Sequence, residues 1–221
     1  MKVFIHACIA ISMVLLPGCG GVTDWASQTF NQGKQHADHK AVVEKYMRSI
    51  KIYDQFETIA LFDVLFLSDD IRDAYSKLFS STHGRSQEAH LTFLRRQLKT
   101  NEHFVSFYVL STHQVPLNLK PAVWSIYLKV GDVAYQPLEI KAIELAPEYN
   151  RFFGKRLTNH KRPYEIRFER QDTEGRDILE GASCVDLVFS TPKYHSSVSW
   201  DLPKEESAVI DLETQDQEQI S

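Results

Sequence analysis

The chain has 221 residues, 25 Lys and Arg against 29 Asp and Glu, and three cysteines. A mildly acidic balance argues against a nucleic-acid partner, because nucleic-acid-binding domains carry a clearly basic surface. With Cys8 and Cys19 both in the first nineteen residues, Cys184 has no partner downstream, so the fold must be held by a core rather than by disulfides.

In chain order, Met1-Lys2 gives a short positive start, and Val3 to Leu16 is an apolar run interrupted by His6 and Ser12. Such a run has the length of a secretory h-region. It is too short to cross a bilayer, which takes about 20 apolar residues. Pro17-Gly18 then breaks the run just ahead of Cys19. Leu16-Pro17-Gly18-Cys19 resembles the lipobox of bacterial lipoproteins. The resemblance implies a signal peptide over residues 1–18, cut before Cys19, and a palmitate-type acyl anchor on Cys19 that attaches the protein to a membrane. Gly20 follows the cysteine where Asp would retain the protein in the inner membrane. By resemblance to Gram-negative sorting, this implies the cell outer membrane, facing the periplasm. Removal of residues 1–18 leaves 24 cations against 29 acids, a net charge of −5.

Residues 19–36 read as the lipidated cysteine and a flexible tether, punctuated by Gly20-Gly21 and Gly33. A single domain is expected over 37–202, with helices mainly in 37–101 and strands mainly in 102–202. Val43, Tyr46, Met47 and Ile50 fall at i, i+3, i+4, i+7 and predict a short helix. Ile71, Ala74, Tyr75 and Leu78 repeat that spacing, with Ser68 placed to cap the helix and Asp69-Asp70 at its positive end. Gly84 ends it, and Ser86 starts a third helix that carries Leu91, Leu94 and Leu98 on one side. Between the first two, Thr58 to Leu67 is apolar on both faces; its branched and aromatic residues favour a strand.

From Phe104 the period changes to two. Val105-Phe107-Val109, Trp124-Ile126-Leu128-Val130, Tyr164-Ile166-Phe168, Val185-Leu187-Phe189 and Val198-Trp200-Leu202 each alternate with polar neighbours. Gly131-Asp132 is a two-residue hairpin signal, returning through Val133 and Tyr135. Pro137 puts that return on an edge, and Leu138-Ile140 continues it. Cys184 opens an apolar run and reads as a small buried hydrophobe. The set predicts an α+β fold: an antiparallel β-sandwich, for which an immunoglobulin-like topology is plausible, preceded by two or three short helices. Pro203 to Ser221 carries six acids against Lys204 and reads as an acidic tail with too little to bury to fold.

The chemistry-bearing motifs are few. No G-x-S-x-G elbow, P-loop or G-x-G-x-x-G occurs, and the pair His36 and His39 lacks the accompanying ligands of a zinc site. No catalytic residue, metal or cofactor is therefore assigned. Arg151 to Arg162 stands out, with Arg151, Lys155, Arg156, Lys161 and Arg162 and no acid, leaving the rest of the mature chain at −10. Such a loop suits an anionic ligand, lipid head groups or an acidic partner. It also reads as a solvated connection in which Phe152-Phe153 plug the sandwich end. The expectation is a membrane-anchored envelope lipoprotein, a non-catalytic interaction or assembly module that contacts another envelope protein. The alternatives are an envelope hydrolase whose site assembles only in space, and an anionic-ligand or lipid-head-group binder using the basic loop.

Overall fold

The computed structural model describes residues 39–202. The leader, Cys19, the tether, His36 and the acidic tail lie outside the described residues. The chain divides into two compact units, residues 1–45 and 46–221. In the first, the described residues are helical and carry a Lys40–Glu44 pair one turn apart, 3.8 Å long. The second holds the sandwich.

The helix expected over Val43 to Ile50 stops at residue 46, and Met47–Asp54 is strand β1. Buried Ile50 and Ile52 alternate with exposed Ser49, Lys51 and Tyr53, so a period of two overrides the helical spacing once a pairing strand is present. That partner is β2 (Glu57–Phe66), antiparallel to β1 and apolar on both faces because both are covered. Helix α1 (Asp69–Thr82) follows, with Ile71 N donating to the Ser68 hydroxyl as expected of an N-cap. Gly84, at φ +59°, lets the chain turn into α2 (Gln87–His103), capped by Ser86.

Strands β3 (Phe104–Thr112), β4 (Ser125–Val130), β5 (Val133–Tyr135), β6 (Glu139–Ala142), β7 (Lys161–Glu169), β8 (Cys184–Ser190) and β9 (His195–Asp201) complete the set. A helix the sequence reading did not foresee, α3 (Pro147–Phe153), lies between β6 and β7 with Pro147 in its first turn. The strands form two antiparallel sheets, β1-β2-β3-β7-β6 and β5-β4-β8-β9. With β1 set aside, β2-β3-β7-β6 opposite β5-β4-β8-β9 is the order of the ABED and C′CFG strands of an immunoglobulin-like sandwich. The α1–α2 pair is inserted between the first two strands of that order, so β1 and β2 precede the helices and seven strands follow them. Leu138-Ile140 does not prolong β5. Pro137 cannot donate to the ladder, and Glu139–Ala142 pairs with β7 in the opposite sheet.

The sheets meet through aromatic rings. Phe62 on β2 stacks on Phe189 of β8 at 4.4 Å, and Phe107 on β3 lies 5.3 Å from Trp200 of β9. Trp124, one residue before β4, packs edge-on against Phe62. Cys184 is only partly buried. Val185, Leu187 and Phe189 take the inward positions of β8, so parity turns Cys184 outward. The helices cover the other face of the five-stranded sheet: Tyr149 of α3 stacks on Tyr75 of α1 at 4.3 Å and meets Tyr108 of β3 edge-on at 4.8 Å. The unit is thus three layers deep.

Candidate functional site

Register gives the sandwich a direction. The start of β1 lies beside the end of β9, where Trp200 Nε1 donates to the Tyr46 carbonyl (2.8 Å) and Arg48 Nε to the Ser199 carbonyl (3.2 Å). The chain therefore comes into the sandwich and leaves it at one end. Eight extended residues of β1, about 26 Å at ~3.3 Å each, carry it to the other end. That end gathers the β1–β2 turn, the 113–124 connection, the basic segment before β7 and the β8–β9 turn.

The basic segment is held there by an acid. Asp63 lies in the middle of the apolar run of β2, on the face turned away from the other sheet, with its side chain 4% exposed. It binds Lys161, whose own side chain is 10% exposed, accepts from the Ser49 hydroxyl at 2.6 Å, and lies 3.9 Å from Arg156. Opposite charge and a hydroxyl compensate its burial. The five cations named from the sequence therefore divide. Lys161 is committed inward and Arg156 leans on the same carboxylate while staying half exposed; Arg151, Lys155 and Arg162 face solvent. Phe152 and Phe153 are buried, as the solvated-connection reading expected, but on helix α3 rather than in a loop.

A second acid fixes the turn. Asp54 binds Lys193 and accepts from the Tyr194 hydroxyl at 2.7 Å, joining the β1–β2 turn to the β8–β9 turn. Lys193 and Tyr194 together hold the Asp54 carboxyl below its ordinary range, and the Asp54 carboxylate raises Lys193. Gln55 takes a left-handed φ of +55° at the turn. Beside it Phe56 is completely exposed and Tyr53 is 57% exposed. Leu119 and Val123 are exposed in the neighbouring 113–124 connection.

The interior holds a different polar group of residues. Six buried side-chain atoms among the described residues lack a hydrogen-bond partner: Arg72 Nη2, Ser76 Oγ, Ser106 Oγ, Glu148 Oε2, Tyr149 OH and Arg167 Nε. They come from α1, α3, β3 and β7, the elements on either side of the seam between the helices and the five-stranded sheet. Arg72 Nε and Nη1 reach the amide oxygens of Asn101 and Gln97, at 3.3 and 3.4 Å, and its guanidinium lies beside the Tyr149 hydroxyl. Burial pushes the Tyr108 hydroxyl up to about 12 and raises those of Tyr149 and Tyr75. A shallow cleft of about 170 Å³ opens at the edge of this layer, lined by Tyr46, Asp69, Asp70, Asn101 and Arg170 among others.

Compared with known proteins, the chain matches no family model and no curated sequence. Sequence reading missed Asp63 and Asp54, although an acid inside an apolar run was a visible signal. It missed Phe56 and the interlayer seam for lack of any signal, since exposure and convergence belong to the folded chain.

Proposed function

We propose that this protein is a lipid-anchored envelope lipoprotein, held through Cys19 on the outer membrane and facing the periplasm, whose sandwich is a non-catalytic interaction or assembly module. The observation that carries this reading is the direction of the sandwich. Strand β1 starts beside the end of β9 at one end of the sandwich, and four connections gather at the other. A tethered module of this shape presents its free end to a partner. The lipobox-like residues Leu16 to Cys19 supply the anchor.

The test is fatty-acid labelling in cells, followed by membrane fractionation. Wild type is expected to incorporate label and stay with the membrane, whereas Cys19→Ser is expected to lose both properties. Equal labelling of the two chains would overturn the reading.

A further inference from the structure

We infer that the free end of the sandwich, built from Phe56, Tyr53, Lys51, Arg156 and Arg162, is a docking surface for an acidic protein. The inference rests on the reading of the chain as a tethered interaction module. An aromatic side chain at full exposure loses the stabilisation of burial, about 1.5–3 kcal/mol for a large apolar group. Here the exposed ring stands on a turn that is held still. Asp54 ties that turn to Lys193 and Tyr194, so Phe56 is presented on a fixed frame. Rigid aromatic anchors flanked by arginine are the residues that carry most binding energy at protein interfaces.

Charge then selects the partner. Two of the acids at this end, Asp54 and Asp63, are already occupied by Lys193 and by Lys161 with Arg156. Lys51, on the outward face of β1, and Lys155, Arg156 and Arg162 remain exposed, against the exposed carboxylates of Glu57 and of Glu144, which the register sets opposite Arg162. The surplus is positive on a chain that is otherwise strongly negative. Like charge keeps the rest of the molecule away from an acidic partner and turns this end towards it. The surface lies about 26 Å, eight strand residues at ~3.3 Å, from where the chain enters the sandwich, and its combination of exposed aromatic rings with arginine is that of a protein interface.

The test uses the full chain with Cys19→Ser, titrated with a synthetic peptide of Glu and Leu, and separately with phosphatidylglycerol vesicles. The peptide is expected to bind with a Kd on the order of micromolar, more weakly as salt is raised. The variant Lys51→Gln/Arg156→Gln/Arg162→Gln leaves Lys161 on Asp63. It is expected to keep the wild-type urea midpoint and bind at least tenfold more weakly. Phe56→Ser is expected to weaken binding without changing the salt dependence. A photoreactive phenylalanine at position 56 should crosslink to the peptide, and one at Glu174, in the connection at the opposite end, should not. Unchanged binding by the triple variant, crosslinking at 174 as strong as at 56, or binding to vesicles but not to peptide each overturns the proposal. Loss of acyl labelling in Cys19→Ser alongside any of these would leave the tethered-module reading standing and remove only the docking surface.

Discussion

Asp63 joins strand β2 to the basic segment across 98 positions of sequence through a single side chain. Both it and Lys161 are nearly removed from solvent, so the pair is governed by burial rather than by surface attraction. Removing one member of a buried pair strands the other, at about 3–5 kcal/mol. Asp63→Ala is therefore expected to lower the free energy of urea unfolding by roughly 3 kcal/mol. Asp73→Ala, which breaks the surface pair with Lys77 one turn away on α1, should change it by under about 1 kcal/mol. Equal effects would show that Lys161 finds another partner. Tyr108 makes the second residue-scale case. Its folded pKa is raised to about 12 by burial, whereas a tyrosine in the unfolded chain ionises near 10. Its contribution is full below pH 10 and is lost progressively as pH rises towards 12. An alkaline titration of unfolding should fall through that window, and Tyr108→Phe should flatten the fall. A Phe variant with the same slope would assign it to other groups.

At the scale of elements, α2 is unusual: of its seventeen residues only Asn101 is buried. Its helix is held along α1 by Phe93, which stacks on Phe79 at 4.6 Å, and at its ends by the Ser86 cap and by Asn101, which donates to the Leu67 carbonyl and to Asp69. The seam beneath α1 is buried but poorly satisfied. A guanidinium whose bonds are long and whose Nη2 has no partner contributes little for its desolvation. Arg72→Met is accordingly expected to shift stability by no more than about 1 kcal/mol in either direction. Phe153→Ala, at 1% exposure in the same layer, should cost about 3–5 kcal/mol. Both are read from urea unfolding. A loss of several kcal/mol in Arg72→Met would mean that the seam is satisfied in solution, by ordered water bridging the six orphaned atoms.

For the sandwich unit as a whole, three layers and one direction follow from where the strands pair. Local pattern alone determined a good deal: the alternation of β3, β4, β7, β8 and β9, the Ser68 and Ser86 caps, the Gly131 hairpin at φ +57°, and the burial of Phe152-Phe153. Each is set within a few residues, by side-chain period, a capping hydroxyl or a permitted φ. The α+β class and the sandwich follow from their sum. What only the tertiary structure decided is which surface each face meets. Period says that a face is covered and not by what, so Met47–Asp54 became a strand only because β2 lay beside it. Leu138-Ile140 crossed to the opposite sheet because Pro137 cannot continue a ladder. The five cations could be counted in sequence, but their division into inward and outward groups depended on Asp63. That acid is remote along the chain and adjacent in space, and such proximity arises from packing, which no local pattern encodes.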